Sequence, residues 1–317
     1  MTTREVSDLG EVQSLVDAYP FKPYRHYRVY SRKAQNAVMR QEIAETLDHP
    51  DGTVIAVDAG TEPSFAVVRR LEWDSTFFQV PMGRVEYLLT STRDSYQATL
   101  DAGVGALRAR GVRHISIRAD VADIESVAVL EANGFRLMDS LVTYTTRPRK
   151  EPPHDVREVG TIRPLRPEDG PALIEITADA YRGFRGRFHL DPHINIARSD
   201  AFYVEWARQS INGSMADMVL VAEGADGRVN GYLAFRKRQP VSSIGGTDVY
   251  GGGLGACRAD APGGYAGLIR AGTIWAHERG AVAECQTQNY NFPTIRIYEA
   301  VGAHYVRADY TLHGWLD

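Results

Sequence analysis

The chain has 317 residues, 44% apolar and 24% charged, a globular composition with room for two ordinary domains. Acidic residues outnumber basic ones 40 to 36, a net charge of -4, which argues against nucleic acid held on a basic face. No run approaches the roughly 18 apolar residues that span a bilayer, and the start, Met-Thr-Thr-Arg-Glu-Val-Ser-Asp, has no apolar leader stretch, so a soluble cytoplasmic protein with no membrane partner is expected.

Val6, Leu9, Val12, Leu15 and Val16 have helical spacing over 4–19, and a polar, Arg/Gln-rich helix follows around Arg32–Leu47. His49-Pro-Asp-Gly52 reads as a turn into a strand over Thr53–Asp58, and another strand begins at Phe65. Leu71-Glu-Trp-Asp-Ser-Thr-Phe-Phe78 precedes a strand ending in Arg84–Leu89. A helix over Ser95–Arg110 leads into the strand His114–Arg118. The helix Ile124–Ala132 is stopped by Asn133-Gly134, where glycine can turn left-handed, and Phe135–Tyr144 is a closing strand. Residues 148–160 open with the charged, proline-rich Pro148-Arg-Lys-Glu-Pro-Pro-His-Asp155 and read as a linker.

The pattern then restarts. Thr161–Leu165 is a short strand and Pro167–Tyr181 a helix with acidic residues in its first turn. Arg182–Pro192 is an irregular basic loop, Asp200–Ile211 a helix, and the segments Met218–Glu223 and Gly231–Arg236 flank Asp226-Gly227 as a hairpin. Val249–Arg258 is a strand, and Leu268, Ile269, Gly272 and Trp275 share one face of the next helix. Cys257 and Cys285 sit in apolar strand-like segments and read as buried thiols, with no metal site expected.

The two halves align on each other. Gly302 falls on Gly134, Asn291 on Asp123, Thr294 on Ser126 and Tyr298 on Leu130. With one residue of slippage, Tyr265–Gly272 falls on Tyr96–Gly103. A tandem repeat of one mixed α/β unit follows, with 1–147 as the first copy and 161–317 as the second. The first copy has Arg93-Asp-Ser95 where the second has Pro262-Gly-Gly264, and Leu130 where the second has Tyr298, so the first is the degenerate one.

Asp260-Ala-Pro-Gly-Gly-Tyr-Ala-Gly-Leu268 fits a plain strand-to-helix turn and also a phosphate cradle of helix-start amides. Asn291 reads as a helix cap with Pro293 in the first turn, and Tyr298, taken alone, as core packing. In combination, a splayed strand, glycine turn, long helix, strand, then Asn291…Thr294…Tyr298…Gly302 resembles the GNAT-fold acetyltransferases over 160–317. That resemblance implies two tandem GNAT-like domains using acetyl-CoA. Its pyrophosphate would lie on the amides of Pro262–Gly267, Asn291 would contact the pantetheine arm, and Cys257, Arg258, Ala259, Gly263, Gly264, Tyr265, Ala266, Gly267 and Thr294 join Asn291 as cofactor-binding candidates. Tyr298 would protonate the leaving thiolate, and a backbone N–H near Cys257–Ala259 would stabilise the oxyanion. The family's turn usually opens with Arg or Gln; Pro262 stands there in this chain. For the proton taken from the attacking ammonium, Asp248 and His189 are the candidates.

The segment Arg182-Gly-Phe-Arg-Gly-Arg-Phe-His-Leu-Asp-Pro192 could grip an anion through Arg182, Arg185 and Arg187, or be a solvated loop. Its hexamer Arg187-Phe-His-Leu-Asp-Pro192, with Tyr203 and Trp206, resembles the TDP-4-amino-4,6-dideoxyhexose N-acetyltransferases. Trp73-Asp-Ser-Thr-Phe-Phe78 is similar to a first-domain motif of that family, with Gln79 where the family has Gly, and equally fits the core of a strand pair. The resemblance makes Arg182, Arg185, Arg187, His189, Asp191, Tyr203 and Trp206 substrate-binding candidates and a small amine, first a TDP-amino sugar, the acceptor. An amino acid, antibiotic amine or peptide N-terminus is the alternative acceptor, and a ligand-binding or aminoacyl-transferring tandem protein the alternative of another class. The last strand, Tyr305–Trp315, could pair with a second copy in a homodimer.

Overall fold

The computed structural model describes residues 2–58, 63–90, 92, 94–149, 160–261 and 263–316. Arg93, Pro262 and the linker residues 150–159 lie outside the described residues. The first half of the sequence carries β1 (Thr2–Glu5), α1 (Gln13–Ala18), α2 (Arg32–Asp48), β2 (Gly52–Asp58), β3 (Ser64–Arg70), α3 (Glu72–Phe78), β4 (Met82–Leu89), α4 (Ser95–Ala109), β5 (His114–Asp120), α5 (Ile124–Ala132) and β6 (Arg136–Thr146). The second carries β7 (Thr161–Pro164), α6 (Gly170–Ala180), α7 (Arg187–Leu190), α8 (Ile196–Ile211), β8 (Met218–Glu223), β9 (Val229–Lys237), α9 (Val241–Ile244), β10 (Val249–Cys257), α10 (Gly264–Glu278), β11 (Val282–Gln288), α11 (Phe292–Ala300) and β12 (His304–Trp315).

Two compact units result, Met1–Ser140 with Ala308–Asp317, and Leu141–Arg307. In the first, β1 to β4 pair antiparallel in sequence order, β5 joins β4 in parallel, and residues 309–315 of β12 close the sheet antiparallel to β5. The final strand that the sequence offers to a second copy is therefore paired within its own chain over 309–315. Val57, Val68, Leu100, Leu107 and Ile115 form the core between this sheet and α4. In the second unit, β7 to β10 pair antiparallel in sequence order, β11 joins β10 in parallel, and residues 141–146 of β6 pair antiparallel with β11.

Two segments differ from their sequence patterns. The helix expected over 4–19 is a strand followed by a short 3-10 turn and the six-residue α1. Val6 N–H donates to Val54 O at 2.8 Å, which keeps the segment extended along β2, and the Asp8 side chain accepts from Gly10 N–H at 2.8 Å and starts the turn. Residues 72–78 form α3, not a strand pair. The helix ends at Gln79 in a left-handed conformation (φ 56°), Phe78 is buried, and Trp73 stacks on Phe77 at 5.4 Å.

Small residues set the packing of α10 on its sheet. A Cβ at Gly272 would stand 1.9 Å from Phe235 Cζ, so only glycine lets the helix lie on that ring. Leu268 and Ile269 on the same helix are buried, as their spacing requires, and Trp275 meets Tyr250 edge to face at 4.6 Å.

Candidate active site

The site lies in the second unit, where β10 and β11 part. They pair in parallel at Val249–Val282, Tyr250–Ala283 and Gly251–Glu284, and not beyond. From there β10 stays with β9 and β11 with β6, so an opening forms between their carboxyl ends. The register between β10 and β9 shifts between Gly252 and Gly255, leaving residues 253 and 254 without a paired position. At the fork, Arg238 Nε donates to the buried Glu284 carboxylate at 2.8 Å, and a Cβ at Gly251 would meet that guanidinium. No spacing in the sequence marks this bulge or this ion pair, because both depend on strand partners.

The glycine turn runs from the end of β10 into α10. Gly263 takes φ +92°, which suits glycine, and Gly264 opens the helix with a Cβ position that meets nothing closer than Cys257 Sγ at 3.5 Å. An α-helix leaves its first N–H groups without intrahelical acceptors, so the amides of Gly264, Tyr265 and Ala266 face out of the helix start; Gly267 N–H already donates to Gly263 O at 3.2 Å. The end of β10 is more committed than expected. Arg258 N–H donates to Asn230 O at 2.8 Å and its guanidinium to Glu175 at 2.8 Å, while Ala259 is an exposed turn residue. The Arg258 amide is thus spent on β9 and does not supply the oxyanion donor. Burial raises the Cys257 and Cys285 thiols to about 12, so both are held as neutral thiols.

Asn291 caps α11: its Oδ1 accepts from Thr294 N–H at 3.4 Å and its Nδ2 donates to Thr287 Oγ1 at 3.0 Å. Gly302 ends the segment at φ +80°. Tyr298 is 2% exposed, and its hydroxyl donates to Gln286 O of β11 at 3.0 Å. Burial first, and then the neighbouring Tyr265 phenol, raise its pKa well above the ordinary value. Tyr265 comes from the opposite wall. Its ring lies where a Cβ on Gly255 of β10 would be 3.2 Å away, and its hydroxyl bonds that of Tyr298. The turn helix and α11 therefore meet phenol to phenol inside the fork.

Aromatic rings line the β10 side. The Tyr181 hydroxyl donates to Gly255 O at 2.9 Å, and the ring stacks on Tyr203 at 4.3 Å. Tyr203 stacks in turn on His189 at 5.8 Å, and Trp206 reaches within 3.9 Å of a Cβ position on Gly253. His189 Nε2 donates to Asp200 Oδ1 at 2.8 Å, and its Nδ1 is buried without a hydrogen-bond partner among the described residues. Burial opposes ionisation of Asp200, but Gly183 N–H at 2.9 Å and His189 outweigh it and hold the carboxyl below its usual range. Tyr181 and Asp200 carried no signal in their own segments; their roles depend on contacts between α6, α8 and β10.

The remaining candidates spread out. Arg182 is exposed and pairs with Asp179 at 3.3 Å, and Arg187 lies over the Phe188 ring at 4.3 Å. The Arg185 carbonyl accepts from the Tyr290 hydroxyl, and Asp191 Oδ1 accepts from His193 N–H at 3.0 Å in a local turn. Asp248 precedes the paired end of β10, where Lys237 Nζ holds it at 2.8 Å.

No family model matches the chain. Two curated proteins are similar at low identity. The spore coat polysaccharide biosynthesis protein SpsD of Bacillus subtilis is 25% identical over 247 residues, 77% of this chain and 81% of that protein. The dTDP-fucosamine acetyltransferase of Escherichia coli is 23% identical over 252 residues, 79% and 99%. Among solved structures, a GCN5-related N-acetyltransferase from Sphaerobacter thermophilus matches with a TM-score of 0.64 at 13% identity, covering 99% of this chain and 95% of that one. A tandem GNAT protein from the clavulanic acid biosynthesis pathway matches with 0.57 at 13% identity, covering 99% and 98%. The fold is thus that of the tandem GNAT proteins, along the whole chain. Among the described residues no helix is long and apolar enough to cross a membrane.

Proposed function

We propose that the protein is an acetyl-CoA-dependent N-acetyltransferase, with the second unit as its working copy, acting on the amine of a small molecule. The observation that carries this reading is the fork between β10 and β11, in which a buried tyrosine of α11 meets the open first turn of α10. The residues suit the cofactor. Gly263 has the left-handed turn and Gly264 the space that a close approach of pyrophosphate requires, and the amides of Gly264, Tyr265 and Ala266 would hold it. Asn291 and Thr294, at the start of α11, would face the pantetheine arm.

Bound acetyl-CoA supplies an activated thioester carbonyl and a thiolate leaving group. The chain's part is to position, donate and accept protons. Tyr298 holds its proton at the hydroxyl and gives it to the departing sulfur; its raised pKa keeps the phenol charged with that proton at neutral pH. The unpaired bulge at 253–254 takes the oxyanion role expected at Cys257–Ala259. Of the two base candidates, His189 has the arrangement a base needs, since Asp200 fixes Nε2–H and leaves Nδ1 as the acceptor. Asp248 is neutralised by Lys237.

For the acceptor we put a nucleotide-linked amino sugar first. The support is the likeness to the dTDP-fucosamine acetyltransferase over 99% of its length, together with the wall of Tyr181, Tyr203 and Trp206, which suits the flat faces of a sugar or base. The test is a thermal-shift series with acetyl-CoA, CoA and thymidine-diphosphate amino sugars, followed by thiol release with each amine that stabilises the chain. Stabilisation by both CoA species and turnover with an amino sugar are expected. No response to either CoA species rejects the enzyme; turnover only with other amines rejects the acceptor and keeps the enzyme.

A further inference from the structure

The first unit contains a cavity that the acetyltransferase reading does not use. It has a volume of about 350 Å³ and is lined by Lys22, Arg25, His26, Arg32 and Gln35, with Tyr19 and Pro20. That size suits a small ligand or part of one. Three formal cations face it, and among the described lining residues there is no carboxylate. The cations are fixed by carbonyls. Lys22 Nζ donates to Asp17 O at 3.1 Å and to Tyr19 O, Arg32 donates to Asp17 O at 3.1 Å, and Arg25 donates to Pro20 O at 3.2 Å. Gln35 ties the loop by donating to Tyr30 O at 3.2 Å.

Two carboxylates lie near these cations. Asp120, at the carboxyl end of β5, takes one arm of Arg25 at 3.0 Å, and Asp17 is held by Arg40 at 2.9 Å. Lys22, 3% exposed, makes its side-chain hydrogen bonds to carbonyls, not to a carboxylate. Burial first, and then the Arg32 cation, lower its pKa to about 8, against the opposing pull of the Asp17 carboxylate.

We infer that this cavity is an anion site that takes the phosphate or diphosphate group of a small ligand, with Lys22, Arg25 and Arg32 as its cations. Guanidinium forks match phosphate oxygens bidentately, and a buried ammonium adds a point charge. The inference does not depend on the function proposed for the second unit.

The test is calorimetric titration of the full chain with inorganic phosphate, pyrophosphate and thymidine diphosphate. Each titration is run in saturating CoA, so that the glycine turn of the second unit does not compete, and against sodium chloride of equal ionic strength. Saturable binding of at least one phosphate compound is expected, weakened about tenfold or more by Arg32→Ala and by Lys22→Met. Arg32 is exposed at the start of α2, so its variant tests the site even where Lys22→Met disturbs folding. Tighter binding of thymidine diphosphate than of pyrophosphate assigns the site to a nucleotide, and equal binding assigns it to the phosphates alone. Heats no larger than the salt control, or binding that Arg32→Ala leaves unchanged, overturn the inference.

Discussion

Tyr298→Phe separates the chemistry of the fork from its packing. The substitution deletes one oxygen from a side chain that is 2% exposed and keeps the ring. It removes the 3.0 Å bond to Gln286 O and the interaction with the Tyr265 hydroxyl. Each lost hydrogen bond is worth about 1 kcal/mol net, so about 1–2 kcal/mol of stability should go. In a domain of this size that is a fall in Tm of roughly 2–8 °C, leaving a folded protein at 25 °C. The catalytic loss is larger. A positioned general acid contributes about 10²–10⁴ in rate, or about 3–5 kcal/mol of transition-state stabilisation. Turnover measured by thiol release at saturating acceptor should therefore fall at least about tenfold, while the Kd for acetyl-CoA stays put. The raised pKa adds a pH signature: the phenol remains protonated beyond pH ~10, so it imposes no alkaline fall on wild-type turnover below that value. Turnover in Tyr298→Phe within threefold of wild type would refute its assignment as acid.

Other perturbations test the neighbouring links. Gly272→Ala puts a methyl 1.9 Å from Phe235 Cζ, and Phe235 is 1% exposed with Trp275 stacked against it at 6.4 Å; overpacking should cost about 1–3 kcal/mol in urea denaturation despite alanine's better helix propensity, and an unchanged midpoint would contradict the packing. Cys285 has a folded pKa raised to about 12 by burial and then Glu284, above about 8.5 in the unfolded chain. Its stabilisation is therefore complete below pH ~8.5 and lost as pH rises toward 12. Between pH ~8.5 and ~10.5 wild type should lose about 2–3 kcal/mol more than Cys285→Ala, and parallel pH profiles would contradict this. His189→Gln should lower kcat about tenfold or more with acetyl-CoA affinity intact; a loss under threefold would leave His189 as packing against Tyr203 and Asp200.

The local rules read well where a signal is contained in one segment. Asn291 with Pro293 and Gly302 announces the bounds of α11, Asn133-Gly134 the end of α5, and Asp226-Gly227 the hairpin of β8 and β9, because caps and turns depend on near neighbours. The rules fail where a distant partner decides. Val6 follows helical spacing but is drawn along β2 by Val54 O, and Trp73–Phe78 has strand-like apolar content but coils into α3. The resemblance to GNAT-fold proteins found the right fold, and the full-chain matches bear it out.

The candidate site divides in the same way. The glycine turn and Asn291…Tyr298 were legible because each lies in a short, patterned stretch. The Tyr265–Tyr298 bond, the bulge at 253–254, the Tyr181 hydroxyl on Gly255 and the His189–Asp200 pair were not, since each joins residues from separate elements. The three arginines of 182–187 share a loop in sequence, yet Arg182 turns to Asp179 and Arg187 to Phe188, which spacing alone does not reveal.

The central claim is that the turn into α10 holds acetyl-CoA at the fork. Calorimetric titration of acetyl-CoA into the wild-type chain and into Gly264→Glu tests it most directly. Gly264 is buried and a Cβ there has only ordinary contacts, to Cys257 Sγ at 3.5 Å and Ala222 Cβ at 3.9 Å, so the titration is read beside the unfolding transition, and a variant that keeps the wild-type Tm sets a carboxylate against the turn. Saturable binding by wild type, weakened about tenfold or more in the variant, is the predicted result. No binding by wild type, or equal binding by the two, would contradict the account.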